Sequence, residues 1–337
     1  MAKKDKDYTN KVFDLRTDIT SGASGEYHPK FVVSFGSYAV DKWLTNHGGL
    51  PSGCYVVISS KDEGVFKTTT GNRILKQVQD LGYPVGVVDS EYKWSFKRGR
   101  SNGLNTDDNK LFHYSEPLTG EDALTDVERM MTDHGCKAIM LDSVDGAQPE
   151  IGLDHEYGDA NIGAHAKLFN SAARRLSKMC RKYDCLLIVI NQMRGNITNV
   201  GGRPQQMGFK SSGGRGLPFY SHCNFEIFQG ESQGNRVDKD LIPLRISIRR
   251  NSMGPSWKDI PVFALQNYGI DPYSEMIDIA ITQTIITKAG SWYRYKDDPI
   301  GQGRESVRDW LEIHGAVVKI VDNKPQVVIP YESKKPQ

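Results

Sequence analysis

The sequence lacks several features that would assign it to particular protein classes. Its five cysteines have neither the paired spacing of a disulfide framework nor the spacing of metal ligands, and several lie in apolar runs, so we interpret them as reduced core residues. The N-terminus, MAKKDKDYTNK, has no apolar segment like that of a signal peptide. No run of about eighteen apolar residues occurs anywhere. We therefore expect a cytoplasmic protein that does not enter membranes.

The chain is also not strongly basic, because its net charge is only +2 over 337 residues. Any binding of nucleic acid must come from local clusters of Lys and Arg. The length suffices for a large domain with a well-buried core and a small second domain. From the composition we expect an N-terminal arm over 1–30, a core domain over 31–267 and a small α/β domain over 268–330.

The segment from Cys185 to Tyr220 has two contrasting parts. It opens with the unbroken apolar run CLLIVI, as expected of a strand buried on both faces of a parallel sheet. The run ends in Asn191 and Gln192, and open α/β sheets bind ligands at the carboxyl ends of such strands. The remainder has no apolar period and carries the cations Arg194, Arg203, Lys210 and Arg215. We predict a long loop that holds a polyanion, the alternative being an ordinary surface loop.

A predicted strand over 54–59 is followed by a loop, a Lys-Thr pair and a helix. This is the layout of a phosphate-binding loop, in which backbone N–H groups receive phosphates, the lysine meets the outer ones and the threonine ligates Mg²⁺. Lys67 and Thr68 are the candidates for those roles. Lys61 and Phe66 replace the consensus glycines, and Gly64 is the single glycine within the loop. Taken alone, Lys67-Thr68 is more simply explained as the polar start of a helix.

Two further predicted strands end in carboxylates. VGVVDSEY ends in Asp89 and Glu91, and a carboxylate beside a nucleotide can polarise a water for attack on phosphorus, although a turn-capping Glu fits equally well. The run AIML before Asp142 predicts a strand whose terminal aspartate holds the water shell of Mg²⁺. The order of these features after the Lys-Thr loop favours a nucleotide site.

A long helix is predicted over 158–183, with apolar residues that recur every three or four positions and form one buried stripe. Lys167, Arg174 and Arg181 are seven residues apart and share another face, with Asn170 adjacent. Cations along one helix face beside a basic loop fit a groove that follows a nucleic-acid backbone. A solvated charged face is the alternative.

Together these segments resemble a known family. GGLPSG, the Lys-Thr loop, VVDSE, MLDSVDG, LLIVINQ, SSGGRGLPFY and IITKAGSWYRYKDDPIGQG follow one another in the order seen in RecA-type recombinases, over residues 33–310. GIDPYSEMIDIA and the Phe before the loop lysine are also similar to the phage branch typified by UvsX. The resemblance implies an α/β fold, namely a RecA-like P-loop core with a mostly parallel central sheet flanked by helices, plus a small C-terminal α/β domain.

The resemblance implies an ATP-dependent recombinase that forms a helical filament on single-stranded DNA and exchanges strands with a homologous duplex, in recombination and repair. Its cofactors would be ATP and Mg²⁺. Its partners would be single-stranded and double-stranded DNA and further copies of the chain, in the host cytoplasm if the protein is phage-encoded. A single-strand-binding protein and a loading mediator are further partners that the family suggests.

Site residues follow from the same resemblance. Glu91 matches the carboxylate that activates water, Gln192 the glutamine that couples the γ-phosphate to DNA, and Lys67 the phosphate-contacting lysine. Mg²⁺ would be held by Thr68 and Asp142. The nucleotide would contact Gly64, Val65, Phe66, Lys67, Thr68, Thr69, Asp142 and Arg250. DNA would contact Gly158, Lys167, Asn170, Arg174, Arg194, Arg203, Lys210, Ser211, Ser212, Gly213 and Gly214.

The chain departs from the family pattern in its phosphate loop, which lacks two glycines and is one residue longer. In addition, the arm has little of the apolar helix that in the family docks on the neighbouring subunit, and the acidic C-terminal tail is absent. The family presents paired lysines to the ATP of the next subunit near Arg249-Arg250, and only the first cation here has a clear counterpart. Pro218 replaces the lysine that in the family precedes the aromatic residue, here Phe219, at the subunit contact. The altered loop motivates a second hypothesis, an ATPase-weak or inactive DNA-binding filament or mediator. A hexameric helicase on the same core is a third, which the KAG-x-WY segment disfavours.

Overall fold

The computed structural model describes residues 13–14, 27–44, 48–152, 162–200, 203–214, 216–230, 241–266, 268–321 and 324–330. Its helices are α1 (Tyr38–Leu44), α2 (Lys67–Asp80), α3 (Phe96–Ser101), α4 (Gly120–Thr132), α5 (Ile162–Tyr183), α6 (Gly216–Tyr220), α7 (Pro272–Thr282) and α8 (Gly303–Ile313). Its first nine strands are β1 (Phe13–Asp14), β2 (Val32–Val33), β3 (Leu50–Pro51), β4 (Tyr55–Ser60), β5 (Val85–Asp89), β6 (Phe112–Ser115), β7 (Ala138–Asp142), β8 (Leu186–Val200) and β9 (Arg203–Ser211). The others are β10 (Cys223–Gln229), β11 (Leu241–Asn251), β12 (Lys258–Leu265), β13 (Gly269–Ile270), β14 (Ile286–Ala289), β15 (Trp292–Tyr295), β16 (Asp298–Gln302), β17 (Val317–Val321) and β18 (Lys324–Val328).

A ten-stranded sheet organises the molecule in the order β13-β12-β11-β10-β4-β8-β7-β5-β6, with β9 paired to β8. The strands from β10 to β6 run parallel to their neighbours. Strands β11, β12 and β13 extend the sheet in antiparallel fashion. The predicted α/β fold with a mostly parallel central sheet is therefore confirmed.

The central strands are apolar throughout because helices cover both faces of the sheet. Alternate residues of β4 point to opposite sides, so that Val56 and Ile58 join a core cluster with α2, whereas Val57 joins a second cluster with α4 and α5. The predicted stripe of α5 is confirmed, with Phe169, Ala173, Leu176 and Cys180 all buried. The apolar runs of the sequence therefore mark the innermost layer of the fold.

A smaller unit follows the main sheet. Helix α7 begins with Asp271 as N-cap and Pro272 in its first turn, as helix-start chemistry favours. It packs with α8, the three-stranded sheet β14-β15-β16 and the pair β17–β18 around a third core cluster. The sequence after residue 268 predicts a helix, short strands around 292–295 and a second helix from Arg304, and this order is confirmed. Strand β1, from the predicted arm, pairs with β17 in parallel.

Two local predictions were wrong. The predicted loop after Gln192 is instead a hairpin of β8 and β9, because its backbone groups pair with each other and the pairing needs no apolar face. The segment 93–109 has a low apolar content that predicts a surface loop, but it contains the short helix α3, begun by the Ser95 cap. The short amphipathic helix that the sequence predicts within 31–53 is α1, flanked by β2 and β3.

Within the described ranges, no helix is both long enough and apolar enough to cross a bilayer.

Candidate nucleotide and DNA site

Polar side chains from four parallel strands meet at one edge of the sheet. In the register of the sheet, Ser60 of β4 pairs with Gln192 of β8, and Asp89 of β5 pairs with Asp142 of β7. Because parallel strands place their carboxyl ends on the same edge, residues far apart in sequence become neighbours. This edge is where the structure brings together the predicted nucleotide residues.

The loop between β4 and α2 borders a cavity of about 300 Å³. Gly64 (φ +70°) and Phe66 (φ +64°) both have left-handed backbone conformations, and Phe66 is the N-cap of α2. The free N–H groups at the start of α2 therefore face the cavity, as in an anion site. Its lining comprises Gly64, Val65, Phe66, Lys67, Thr68, Thr69, Arg98, Ser101, Asn102 and Gln266.

Lys67 is partly buried beside the loop, and its ammonium donates to the carbonyl oxygen of Asp62 at 3.3 Å. Burial lowers the pKa of Lys67, and the surrounding carboxylates of Asp142 and Glu91 oppose that shift. A partly desolvated cation attracts a phosphate more strongly than one in bulk water would, although nearby carboxylates reduce that attraction. Lys67 thus has the position and charge that phosphate binding requires.

Thr68 and Asp142 provide adjacent oxygen ligands. The Thr68 hydroxyl donates to Asp142 Oδ2 at 2.7 Å, across the gap between α2 and β7. Burial raises the pKa of Asp142 to about 6, the hydrogen bond from Thr68 opposes the shift, and the charges of Glu91 and Asp89 add to it. Hydroxyl and carboxylate oxygens are the ligands that Mg²⁺ prefers, so this pair fits the predicted magnesium site.

Glu91 lies at the centre of a small polar network. Its Oε1 accepts from the Ser143 hydroxyl and, at 3.4 Å, from the Gln192 side-chain amide. Its Oε2 forms an ion pair with Lys93 Nζ at 3.2 Å. The backbone N–H of Glu91 donates to Asp89 Oδ1 at 3.2 Å. These contacts fix the carboxylate beside the Gln192 amide, and its charge acts on Lys67, which lines the cavity.

Gln192 links this network to the hairpin. Its backbone N–H donates to Asp145 Oδ2 at 2.9 Å, which anchors the strand tip to the turn after β7. Its carbonyl oxygen accepts from the backbone N–H of Ser212 at 3.2 Å and from the Ser212 hydroxyl at 3.0 Å. One residue therefore contacts the Glu91 carboxylate with its side chain and the base of the hairpin with its backbone.

The hairpin contains the predicted DNA-loop cations. Backbone register pairs Arg194 with Lys210, Met193 with Ser211 and Val200 with Arg203. Gly158 and Arg215 lie outside the described residues. The cationic loop therefore projects from the sheet as an antiparallel ribbon that begins directly at Gln192.

The predicted helical face of α5 adjoins the hairpin base. Lys167 and Arg174 are exposed, and Arg174 donates to the Tyr220 hydroxyl at 2.8 Å. Asn170 Oδ1 accepts from the backbone N–H of Gly216 at 2.6 Å, so this side chain also fixes the start of α6.

The glycine pair predicted to contact DNA is packed against the protein. Gly213 is buried, and a Cβ atom there would overlap Leu217. Gly214 has φ +76° and lies beside Ala166. A side chain at Gly213 would therefore disturb packing against α6, and one at Gly214 packing against α5.

Arg250 is not among the residues that line the cavity of its own chain. Its Nε donates to the Ser221 carbonyl oxygen at 3.1 Å, and its guanidinium lies 5.3 Å from the ring centroid of the exposed Phe219. The role that the resemblance implies for Arg250 is toward the nucleotide of a neighbouring subunit, and its position beside α6 leaves it available for that contact.

Several site residues were missed in the sequence. Ser143 and Asp145 follow Asp142 closely, and this closeness in sequence is the only feature that could have indicated their place in the site. Lys93 stands in a stretch of low apolar content that predicts only a basic surface loop. Arg98 and Gln266 line the cavity, but the sequence pattern gives no indication that α3 and the end of β12 approach the phosphate loop.

Comparison with known proteins identifies the family. Residues 11–271 match the RecA N-terminal domain, and residues 274–326 match the RecA C-terminal domain. This chain belongs to the RecA family. It is 33% identical to protein RecA of Latilactobacillus sakei subsp. sakei (strain 23K) over 282 residues, which are 84% of this chain and 77% of that protein.

A second relative, protein RecA of Mycoplasma mycoides, is 33% identical over 301 residues, which are 89% of this chain and 84% of that protein. Among solved structures, the RadB recombinase is similar with a TM-score of 0.48 and 17% identity, over 71% of this chain and 98% of that one. Membership of the RecA family supports a role in recombination and repair, and ATP hydrolysis with Mg²⁺.

Proposed function

We propose that this protein is an ATP-dependent DNA strand-exchange recombinase that forms a helical filament on single-stranded DNA. The observation that carries the proposal is the double contact of Gln192. Its amide lies 3.4 Å from Glu91 Oε1, and its carbonyl oxygen binds Ser212 at the base of the cationic hairpin. A change at the nucleotide is thereby transmitted to the DNA-binding ribbon through a single residue.

On the nucleotide side, the triphosphate would lie along the loop from Gly64 to Thr69. The N–H groups of α2 and the Lys67 ammonium would bind its oxygens, and Thr68 with Asp142 would hold Mg²⁺. When bound, Mg²⁺ neutralises charge on the phosphate oxygens. The cavity extends to Arg98, Ser101, Asn102 and Gln266, which leaves that end for the nucleoside.

Glu91 is the proposed general base. Its carboxylate is fixed by Ser143, and it would accept a proton from the attacking water while Lys67 stabilises charge on the phosphate. Gln192 would report the state of this site to the hairpin. We propose these roles for Glu91, Lys67 and Gln192 together, because they lie around one nucleotide site.

On the DNA side, we propose that the hairpin and the exposed face of α5 bind the phosphate backbone. The cations assigned to this surface are Lys167, Arg174, Arg194, Arg203 and Lys210, and the polar contacts come from Asn170, Ser211 and Ser212. Gly213 allows the hairpin base to pack closely on α6, and Gly214 allows it to pack closely on α5. Gly158 belongs to the same proposal on the grounds of the family resemblance alone. Cations of this kind bind DNA irrespective of sequence.

We further propose that the chain belongs to the phage branch of the family, because of Phe66 before the loop lysine and the segment GIDPYSEMIDIA. The protein would then act in the host cytoplasm, with a single-strand-binding protein and a loading mediator as partners. We propose the domain division 1–30, 31–267 and 268–330, in which Arg250 reaches the nucleotide of the next subunit.

A second candidate function is a DNA-binding filament or mediator with little ATPase activity. The observation that favours it is the acidic character of the phosphate loop. Asp62 and Glu63 precede Gly64, and the Lys67 ammonium is directed to the Asp62 carbonyl. Both acidic side chains repel a triphosphate, so nucleotide affinity decides between the two functions.

The test is ATP hydrolysis with and without single-stranded DNA. We expect DNA to stimulate hydrolysis, and Glu91→Gln to lower kcat by roughly a hundredfold or more while ATP still binds, because the amide cannot accept a proton. Lys67→Ala, which should lose ATP binding, is the matched control. Hydrolysis that is indifferent to DNA and unchanged by Glu91→Gln would reject the proposal, and negligible hydrolysis by a protein that binds DNA would favour the second candidate.

A further inference from the structure

Both carboxylate oxygens of Glu91 have partners in the structure. Oε1 accepts from the Ser143 hydroxyl and from Gln192 Nε2, whereas Oε2 is paired with Lys93 Nζ at 3.2 Å. A carboxylate whose lone pairs are directed at other donors is less able to accept a proton from water. At least one of these contacts has to be lost or weakened during turnover.

The three partners differ in how easily they can leave. Ser143 is fully buried just after β7, and Gln192 is fixed by its backbone bonds to Asp145 and Ser212. The Lys93 side chain is 78% exposed, whereas that of Glu91 is only 17% exposed. An ion pair of an exposed lysine contributes little free energy, and water readily replaces the carboxylate as the partner of the ammonium. Lys93 is therefore the partner that can be released.

The charge of Lys93 also acts on other acidic groups of the site. Its pKa is raised chiefly by the hydrogen bond and charge of Glu91, and the carboxylates of Glu63 and Asp142 add to the shift. These acidic groups belong to three separate elements: the phosphate loop, the turn after β5 and the end of β7. Lys93 thus interacts electrostatically with the elements that carry the proposed phosphate-binding and water-activating residues.

We propose that Lys93 is a positioning residue that restrains Glu91 Oε2 and so limits ATP hydrolysis in the absence of DNA. The inference rests on the proposed ATPase function. In that reaction the water oxygen forms a bond to the γ-phosphorus, the bond from that phosphorus to the β–γ bridging oxygen breaks, ADP leaves with that oxygen, and the water proton passes to Glu91. Release of Lys93 frees Oε2 for this proton, while Ser143 keeps the carboxylate in place.

The test compares Lys93→Met, which removes the charge at nearly constant length, with Lys93→Arg, which keeps it. Kinetics are measured without DNA at several ATP concentrations. We expect Lys93→Met to raise kcat about two- to fivefold, the effect of breaking one exposed ion pair, with KM nearly unchanged. Lys93→Arg should behave like the wild type. Lys97→Met, at an exposed lysine of α3, is the matched control and should change nothing.

A second measurement is the dependence of kcat on NaCl concentration at saturating ATP. Salt weakens exposed ion pairs, so it should raise the wild-type rate toward that of Lys93→Met and leave the variant unaffected. An unchanged or reduced kcat in Lys93→Met would overturn the inference. If Lys93→Met gives that result while the wild type hydrolyses ATP with DNA stimulation, only this inference fails. If the wild type shows no hydrolysis that depends on Lys67, the proposed function fails as well.

Discussion

Two residues give the phosphate loop its turn, although only one of them is a glycine. Gly64 has φ +70°, and a Cβ atom added there would meet nothing within 4 Å, so its requirement is conformational. Phe66 adopts φ +64°, which costs a non-glycine residue about 1–2 kcal/mol. The Phe66 ring packs against the main core cluster, and this packing offsets the cost. A loop without the usual glycines can therefore still direct the N–H groups of α2 to a ligand.

Glu63 is an acidic residue of the phosphate loop whose charge opposes nucleotide binding. It is exposed, and its carboxylate acts on both Lys67 and Lys93. We expect Glu63→Gln to tighten the binding of Mg-ATP roughly two- to threefold, because one negative charge near the phosphates is removed. Titration with a fluorescent ATP analogue measures the dissociation constant.

Glu305→Gln makes the same charge change on α8 and should leave that constant unaltered. Equal affinities in the wild type and Glu63→Gln would mean that Glu63 is too far from the phosphates to act on them. The effect should also shrink as salt concentration rises, since exposed charges are screened.

At the scale of elements, strand β8 shows which features a sequence reveals. Its first part is buried on both sides, so its apolar residues identify it without ambiguity. Its second part leaves the sheet and pairs only with β9, so no apolar period marks it as a strand. Helix α3 escaped prediction for a related reason, because six residues with Gly99 in the middle give no recognisable helical period.

The continuity of β8 explains how the nucleotide site and the hairpin can be coupled. We expect Gln192→Ala to bind ATP with an affinity within about twofold of the wild type, because no phosphate-loop contact is lost. The affinity for single-stranded DNA should no longer depend on whether a slow ATP analogue is present. Fluorescence anisotropy of a labelled oligonucleotide, with and without the analogue, measures this dependence.

Ser212→Ala is the comparison for that experiment. It removes one of two hydrogen bonds to the Gln192 carbonyl oxygen and leaves the backbone bond in place, so most of the coupling should remain. If Gln192→Ala loses ATP binding, or keeps the full ATP dependence of DNA affinity, the coupling role of this residue is wrong.

Helices α1 and α7 meet through a buried carboxylate. Glu275 accepts from the Ser37 hydroxyl at 2.5 Å and from the Ala39 backbone N–H at 3.2 Å. Burial raises its pKa from 4.5 to about 7, although the hydrogen bonds from Ser37 and α1 oppose that shift. The contact joins helix α1 of the main domain to helix α7 of the smaller unit. It does so through a carboxyl group whose folded environment favours the protonated form.

This sign gives a pH dependence of stability. The pKa of Glu275 is higher in the folded state than in the unfolded state, so the protonated group stabilises the fold fully when the pH is below the unfolded-state pKa. This contribution is lost as pH rises from about 4.5 through 7. Glu275→Gln has no group that titrates at this position, so it does not lose this contribution. We therefore expect the unfolding free energy of Glu275→Gln minus that of the wild type to increase by about 2–3 kcal/mol as pH rises from about 4.5 to 7. Urea denaturation at a series of pH values measures it. A difference that stays constant with pH would contradict the assignment.

At the scale of the whole molecule, the sequence predicts which residues meet in the site better than it predicts the side-chain contacts among them. Lys67, Thr68, Glu91, Asp142 and Gln192 are distant in sequence, but each lies at or just beyond the end of a recognisable apolar strand or at the start of the helix that follows one. Parallel topology brings such ends together. The pairing of Glu91 with Ser143 and Lys93 depends on side-chain directions in two turns, and no sequence period encodes those directions.

The exposed surface of α6 bears on how copies of the chain assemble. Phe219 of α6 is 61% exposed, and its ring contacts Tyr220 and Arg250 of the same chain. In the RecA resemblance this position belongs to the contact between subunits, and exposed aromatic rings beside Arg are frequent centres of protein interfaces. We therefore expect Phe219→Ala to prevent formation of long helical filaments on single-stranded DNA, because the ring is the apolar part of this exposed surface.

Electron microscopy of the protein with single-stranded DNA and a slow ATP analogue tests this expectation. The wild type should form helical filaments, and Phe219→Ala should give short or no filaments while its melting temperature changes by no more than a few degrees, since little of the ring is buried in the monomer. Ile313→Ala, at an exposed residue at the end of α8, is the matched control and should form filaments normally. Filaments of normal length from Phe219→Ala would place the subunit contact elsewhere, whereas closed rings from the wild type would instead favour the helicase hypothesis.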